Sequence, residues 1–254
     1  MIKSRLLQKI NCHSCAANYL CIANDLSSFE LDELNNLISN VRYLLKKDLV
    51  CSLLSPLQNL YAVHKGSCKE YWLDVHGNEN VTTFYFPGDL IGLESIAGRK
   101  HLFSVVALED TEICVIPIDA LLKLMSQQPN ILKRFINITS FKMQNAHSTQ
   151  AKVTADQQVC DFLLNIIMRM HEREPNAKEV CLSMSQLDIS NFLGVAYETV
   201  NRVFKNLKLK KIIKMNNKTL EAFDLTELER LGRMYFSTQQ DKVHKSLLNK
   251  ILND

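Results

Sequence analysis

Three cysteines lie within ten residues near the start of the chain, at Cys12, Cys15 and Cys21. Thiolates at these spacings can all bind one metal centre, whereas a disulfide between two of them would leave the third cysteine without a partner. The triplet therefore indicates a metal or a cluster, which would also need a fourth ligand. Iron–sulfur clusters and structural zinc both commonly take four cysteines, but the five residues between Cys15 and Cys21 exceed the roughly two to four usual in a zinc hairpin. The spacing favours an iron–sulfur cluster.

Free thiols and an extracellular disulfide framework are the competing interpretations of these cysteines. Small secreted domains use such frameworks when they cannot build a core, but a chain of 254 residues with 46% hydrophobic residues does not need that support. The chain has no run of about 18 apolar residues that could span a bilayer, and residues 1–10 lack an uninterrupted signal-peptide core. We therefore expect a cytoplasmic protein without a membrane segment, whose eight cysteines stay as thiols or ligands.

The fourth ligand must come from the remaining cysteines. Cys114 lies in the apolar run Ile113-Cys114-Val115-Ile116, which predicts a strand. Alternation along a strand directs Cys114 to the face opposite Ile113 and Val115, where it could meet the N-terminal segment. Spacing alone leaves four other candidates open, which are Cys51, Cys68, Cys160 and Cys181.

The elements that must hold such a centre follow in chain order. An amphipathic helix is predicted near residues 28–38, and from about Val41 to Pro117 short apolar and aromatic runs are separated by glycine turns. Strands at this spacing, with little helix between them, indicate an antiparallel sandwich or roll. From Ile118 the pattern becomes helical, and residues 130 to about 152 contain neither glycine nor proline, which predicts one long helix.

The long helix has an apolar seam at Ile131, Phe135 and Ile138. The positions that would continue the seam are polar, at Lys142, Asn145 and Thr149. If this helix pairs with a second copy of itself, we expect weak pairing along its second half, which suits a homodimer that can be switched. A helix packed on its own domain would show the same pattern.

The C-terminal part of the chain contains a helix–turn–helix pattern. Ser185 can cap one helix together with Asp188, Gly194 can make a tight turn, and a second helix starts near Ala196. The segment 212–223 then resembles a strand, a turn and a strand, the usual wing after such a pair. We expect the inward faces of the two helices to use Leu187, Leu193, Val200 and Val203.

The second helix presents polar side chains on one exposed side, and their chemistry suits a major groove. Arginine can bridge O6 and N7 of guanine, glutamate can accept from N4 of cytosine, and asparagine can pair with adenine. Residues 1–150 contain 14 basic and 14 acidic residues, so the net charge of +3 lies in the rest of the chain, and residues 202–218 contain basic residues but no acid. Such a basic stripe is expected where a protein contacts DNA phosphates, although a helical hairpin with a polar outer face is the alternative. The predicted DNA-binding residues are Tyr197, Glu198, Asn201, Arg202 and Lys205.

With these features placed, the chain resembles the CRP/FNR family of bacterial regulators, and within it the oxygen-sensing FNR branch. The resemblance covers about residues 12–235 and implies an α+β fold. That fold has an N-terminal antiparallel β-roll of the cyclic-nucleotide-binding type, a long dimerisation helix and a C-terminal winged helix–turn–helix. The most specific motifs are Cys12-x2-Cys15-x5-Cys21, Gly88-Asp89-Leu90-Ile91-Gly92, the strand around Cys114 and Glu198-Thr199-Val200-x-Arg202.

The resemblance also implies segment boundaries and a mechanism. In the FNR branch three N-terminal cysteines and one roll cysteine hold a [4Fe–4S] cluster, so the matching ligands here would be Cys12, Cys15, Cys21 and Cys114. The family's cluster-loaded form dimerises through its long helix and binds a palindromic promoter site, and oxygen degrades the cluster and releases the DNA. The implied partners are double-stranded DNA, RNA polymerase and a second copy of the chain, and no enzyme activity is implied. The predicted segments are a cluster-binding segment (1–27), a β-roll sensor domain (28–128), a dimerisation helix (129–153), a winged helix–turn–helix domain (154–236) and a tail helix (237–254).

Two positions of the second helix depart from the family pattern, and two alternative functions have less support in the sequence. Glu198 and Arg202 would suit a TGA-like half-site core, whereas Tyr197 and Asn201 are unusual and could alter the flanking preference. A cyclic-nucleotide regulator would carry a Gly-Glu clamp followed by Arg-Ser or Arg-Thr, but here Gly92 is followed by leucine. An enzyme or electron carrier is the third hypothesis, and the sequence shows no glycine-rich phosphate loop, nucleophile elbow or paired metal-binding histidines to support it.

Overall fold

The computed structural model describes residues 5–7, 11–38, 40–148, 154–173 and 179–232. The chain divides into two compact units, Met1–Ala151 and Lys152–Asp254. This division falls beside the predicted start of the DNA-binding domain at residue 154. The finer segment boundaries stay predictions, and the predicted tail helix at 237–254 lies outside the described residues.

The first unit is an antiparallel β-roll followed by helices, as the sequence predicts. Its nine strands in the described part are β1 (Arg5–Leu7), β2 (Asn40–Leu44), β3 (Leu49–Cys51), β4 (Asn59–Lys65), β5 (Cys68–Leu73), β6 (Glu79–Tyr85), β7 (Leu90–Ile91), β8 (Ser104–Ala107) and β9 (Thr111–Pro117). They form a five-stranded sheet in the order β1-β2-β9-β4-β7 and a four-stranded sheet in the order β3-β8-β5-β6. The helices are α1 (Ser28–Leu37), α2 (Ile118–Gln127) and α3 (Pro129–Ser148).

Two apolar cores lie on opposite faces of the five-stranded sheet. The first fills the roll between the two sheets and includes Ile113 of β9 together with Cys51 and Cys68. The second lies between the outer face of the sheet and the helices, and includes Cys114 and Ile116 of β9. Side chains alternate along a strand, so β9 supplies Ile113 to one core and Cys114 to the other. The predicted orientation of Cys114 away from Ile113 is therefore confirmed.

Helix α3 packs on its own domain with the face that the sequence analysis assigned to the dimer. Ile131 is fully buried in the second core, and Phe135 and Ile138 pack against that core. For Ile131 the structure thus favours the alternative, packing on its own domain, whereas Phe135 and Ile138 are only partly buried and their role in a dimer seam stays a prediction. A different stripe of α3 is free in the monomer, at Leu132, Ile136 and Met143, which are 40%, 51% and 65% exposed.

The described part of the second unit contains four helices and a small sheet. Its described elements are α4 (Ala155–Arg173), β10 (Glu179–Cys181), α5 (Gln186–Leu193), α6 (Tyr197–Leu209), β11 (Ile213–Asn216), β12 (Thr219–Ala222) and α7 (Leu225–Gly232). The predicted wing is present as β11 and β12, and β10 adds a third strand beside β12. No helix in the described part of the chain is long and apolar enough to cross a membrane.

The local signals of the helix–turn–helix are confirmed. The Ser185 side chain caps α5 in a reciprocal capping box with Asp188, and Gly194 ends the helix with a left-handed φ of 64°. Val200 and Val203 face inward and are buried, as predicted. Leu187 is instead 55% exposed, so its predicted inward position is wrong. The inner face of α5 is taken by its neighbours two and three residues further on, Ile189 and Ser190.

Candidate functional site

One cavity of the first unit is lined by all four cysteines that the family resemblance selected. Cys12, Cys15 and Cys21 reach it from the N-terminal loop, and Cys114 reaches it from β9. Its other walls are mostly apolar. Cys51 and Cys68 lie in the core of the roll, and Cys160 and Cys181 belong to the second unit. Of the five candidates that spacing left open, Cys114 lines this cavity together with the three loop cysteines.

The cysteine loop is folded into two short 3-10 turns, Cys12–Ser14 and Asn18–Leu20, which side-chain amides hold in place. The backbone N–H of Cys12 donates to Oδ1 of Asn35 on α1 at 3.1 Å. The Nδ2 group of Asn18 donates to the carbonyl of Cys12 at 2.6 Å. These bonds satisfy backbone groups that a short irregular loop would otherwise leave without partners, so they fix the direction of the cysteine side chains.

Gly88 lets the loop approach the roll closely. Its φ is +94°, a backbone conformation that residues with side chains rarely adopt, and a Cβ at this position would lie 2.6 Å from Cβ of Leu20. The sequence motif that contains Gly88 does not reveal this close approach to Leu20. Its requirement for glycine follows from the docking of the cysteine loop on the turn after β6.

Burial in the cavity opposes the ionisation of Cys12 and Cys114. Burial raises the pKa of Cys12 to about 12, and the neighbouring cysteines raise it further. Burial also raises the pKa of Cys114, and repulsion from the three loop cysteines adds to the shift. Because burial and the neighbouring cysteines both disfavour their thiolates, Cys12 and Cys114 stay protonated unless a cation compensates the charge.

Two polar residues that the sequence analysis did not single out also contact the cysteines. Nε and Nη2 of Arg134, on α3, both donate to the carbonyl oxygen of Cys21 at 3.2 Å. Nδ1 of His64, on β4, lies 3.4 Å from Sγ of Cys15, and burial lowers the pKa of this histidine. No local motif marks either residue, because each contact joins residues far apart in the sequence.

Four cysteine thiols around one cavity are the kind of donor set that holds an iron–sulfur cluster. In residues 11–38, 40–148, 154–173 and 179–232, no three His, Cys, Asp or Glu side chains are arranged to bind one metal ion. The four cysteines instead surround a cavity, as a cluster held by four separate thiolates requires. The residues present therefore fit an iron–sulfur cluster.

The predicted DNA-reading residues all lie on the exposed side of α6. Tyr197, Glu198, Asn201, Arg202 and Lys205 are exposed, whereas Val200, Val203, Phe204 and Leu207 anchor the helix in the domain. The guanidinium of Arg202 forms a two-point ion pair with Asp156 on α4, in which Nη1 donates to Oδ2 at 3.0 Å. The predicted DNA-reading side chains therefore share one exposed side of α6.

The stretch that would hold a cyclic phosphate is used differently in this chain. Leu93, where the clamp would need glutamate, is buried, and Nη2 of Arg99 donates to Oδ1 of Asp119 at 2.6 Å. Glu94 lies 3.6 Å from Nζ of Lys142 on α3. These contacts agree with the missing clamp in the sequence.

Comparison with known proteins matches both units to one family. Residues 41–128 match the model of a cyclic nucleotide-binding domain, and residues 157–231 match a Crp-like helix-turn-helix domain. A protein of Pasteurella multocida named "Anaerobic regulatory protein" is 31% identical over 226 residues, which cover 88% of this chain and 83% of that protein. The chain belongs to the Crp/FNR family. It is a DNA-binding transcription regulator of that family.

Further relatives agree with this assignment. The "Transcriptional activator protein anr" of Pseudomonas aeruginosa is 30% identical over 89% of this chain and 94% of its own length. The solved structure of FixK2 from Bradyrhizobium japonicum has the same fold, with a TM-score of 0.69 and 24% identity over 77% of this chain and 98% of that one. The relatives of this Crp/FNR regulator are transcription regulators and not enzymes.

Proposed function

We propose that this Crp/FNR regulator senses oxygen through a [4Fe–4S] cluster held by Cys12, Cys15, Cys21 and Cys114. The observation that carries the proposal is that these four cysteines, and no others, line one cavity of the first unit as the structure describes it. Two of the most similar relatives are named anaerobic regulatory proteins, which supports a signal linked to oxygen. The bound cluster would supply the reactivity with oxygen, and the chain would act in the cytoplasm.

The regulator works as a homodimer on a palindromic promoter site. Two copies would place two α6 helices in successive major grooves, about one helical turn of DNA apart. The free stripe on α3 at Leu132, Ile136 and Met143 supports a pairing surface, because exposed apolar residues at helical spacing favour a partner helix. Glu198 and Arg202 would read a TGA-like half-site core, and the bound dimer would contact RNA polymerase.

Helix α3 connects the cysteine loop to this pairing surface. Arg134 holds the carbonyl of Cys21 from the first half of α3, and Asn130 donates to Glu30 of α1 at 2.9 Å. Four ligated cysteines would fix the loop, and the loop would fix α3 through these bonds. A ligand that binds one conformation better shifts the population toward it, so loading of the cysteines would favour the dimer.

The proposal is tested on the full chain, purified without air and reconstituted with iron and sulfide. We expect visible cluster absorbance, a dimer in sedimentation, and binding to a duplex with two symmetric TGA-like half-sites. All three should be lost after exposure to air. A colourless protein that binds the duplex equally before and after air would contradict the proposal.

Cys114→Ser tests the ligand set, with Cys68→Ser as the matched control. Both cysteines are buried in strands of the roll, but only Cys114 lines the cavity. We expect Cys114→Ser to lose most of its iron and its dimerisation, and Cys68→Ser to keep both. Retention of iron by Cys114→Ser together with its loss from Cys68→Ser would overturn the ligand assignment.

A further inference from the structure

The ion pair between Arg202 and Asp156 joins the reading helix to the start of α4. Nη1 of Arg202 donates to Oδ2 of Asp156 at 3.0 Å, and Nη2 donates to Oδ1. Both side chains are about half exposed, at 54% and 50%. The carboxylate therefore lies beside the surface that faces DNA.

Asp156 is held on a fixed turn. Thr154 and Gln157 close the start of α4 reciprocally, because the N–H of Thr154 donates to Oε1 of Gln157 at 2.9 Å and the N–H of Gln157 donates to Oγ1 of Thr154 at 3.3 Å. Val159, one turn further along α4, is fully buried. The first turn that carries Asp156 is thus capped and anchored, so its carboxylate can orient a flexible arginine.

The pairing geometry decides which edge of the guanidinium stays available. An arginine has five N–H donors in a planar fork. Asp156 takes one donor of Nη1 and one of Nη2, which leaves the edge formed by Nε and the outer N–H of Nη2. That edge also offers two parallel donors, and guanine presents two parallel acceptors, O6 and N7, in the major groove.

We propose that Asp156 is a positioning residue for DNA reading, which fixes Arg202 so that its Nε edge faces guanine. The inference rests on the proposed reading of a half-site by α6. Glu198 lies one turn before Arg202 on the same side of α6, where it could also attract the guanidinium. Because Nη1 and Nη2 of Arg202 both donate to Asp156, the Glu198 carboxylate is left to accept from cytosine.

A positioning role gives a signature that separates it from a general electrostatic role. The negative charge of Asp156 near the DNA weakens attraction to phosphates of any sequence. Its orientation of Arg202, in contrast, acts only where a guanine is present. Loss of Asp156 should therefore reduce discrimination between sequences while leaving binding to unrelated DNA unchanged or tighter.

The test measures the dissociation constants of the full chain, reconstituted anaerobically with iron and sulfide, for two duplexes. One duplex carries two symmetric TGA-like half-sites, and in the other the guanine of each half-site is replaced by adenine. Discrimination is the dissociation constant for the adenine duplex divided by that for the guanine duplex. We expect Asp156→Asn to lower this ratio by about tenfold or more, because a bidentate contact to one base is lost in each half-site. Asp156→Glu should recover part of the ratio.

Two further variants locate the effect. Glu227→Gln is the matched control, because Glu227 also makes a two-point pair with an arginine, Arg230, but on α7. It should leave the ratio unchanged. In an Arg202→Ala background, Asp156→Asn should change the ratio no further, since Asp156 acts through Arg202.

The outcomes separate this inference from the function on which it rests. If Arg202→Ala leaves the ratio unchanged, reading by α6 fails and the inference fails with it. If Arg202→Ala abolishes discrimination but Asp156→Asn does not reduce it, only the role of Asp156 is overturned. The same holds if Asp156→Asn tightens binding to both duplexes equally, because Asp156 would then act by charge alone.

Discussion

Replacement of Arg134 tests whether the cysteine loop controls dimerisation through α3. Arg134→Met keeps most of the side-chain stem but removes both donors to the carbonyl of Cys21, each at 3.2 Å. If the bound cluster fixes the loop, this contact is strongest in the loaded protein. The variant should then weaken the loaded dimer and change the cluster-free chain much less.

The magnitude follows from the number of contacts. A hydrogen bond from a charged donor contributes about 1.5–3 kcal/mol when buried. Arg134 is half-buried and its two donors share one oxygen, so we take about 1–1.5 kcal/mol for each protomer. A dimer contains the contact twice, and about 2–3 kcal/mol corresponds to a dissociation constant roughly 30–150 times larger.

Sedimentation equilibrium of the anaerobic, reconstituted protein measures this change. Lys133→Met is the matched control, because it removes the same charge from the adjacent, exposed position of α3. It should leave the dimer unchanged. Iron content is measured on the same samples, so that loss of the cluster is not mistaken for loss of coupling.

One result would refute the reasoning. If Arg134→Met retains its iron and dimerises as tightly as the unchanged chain, the bond to Cys21 does not connect the loop to the dimer. The connection would then have to pass through apolar packing of the loop and α1 on the start of α3.

Three further variants test helices α3 and α4. Ile136→Glu should abolish the loaded dimer in sedimentation but change the free energy of unfolding by less than about 0.5 kcal/mol, because Ile136 is exposed in the monomer. Ile131→Ala should lower the free energy of unfolding in urea by about 2–4 kcal/mol, because Ile131 is buried. Equal losses of stability in the two variants would contradict the assignment of faces. Burial raises the pKa of Asp161 to about 7, above its value in an unfolded chain, so the folded protein binds more protons and loses stability as the pH rises from about 4 to about 7. Asp161→Asn should remove this loss, on the order of 1 kcal/mol after discounting for solvent screening, and an unchanged pH profile would refute it.

The sequence predicted the fold well where a local pattern determines the structure. Turn glycines and apolar runs placed most strands of the roll, and the Ser185 capping box with Gly194 placed the reading helix. Strand alternation gave the direction of Cys114 correctly, because one strand between two cores must send alternate side chains to each. The three-residue strand β10 was missed, since so short a segment carries no periodicity.

The sequence could not predict contacts that depend on packing between distant segments. Arg134 bonds a backbone carbonyl 113 residues away, and a carbonyl leaves no mark in the identity of its residue. The pair of Asp156 with Arg202 spans 46 residues and joins two helices whose crossing no local pattern defines. In the sequence alone, Arg134 and Asp156 look like ordinary exposed charged residues.

The sequence could not decide which face of α3 packs on its own domain, and the reason is physical. Two apolar stripes run along it, one through Ile131 and one through Leu132, and periodicity cannot tell which is covered by the helix's own domain. In the structure Ile131 is buried, whereas Leu132 and Ile136 are exposed. Because both stripes belong to one rigid helix, a rotation of the buried stripe would turn the exposed stripe by the same angle. In the proposed dimer, a seam of few apolar residues would tolerate little rotation, so pairing would respond to the cysteine loop.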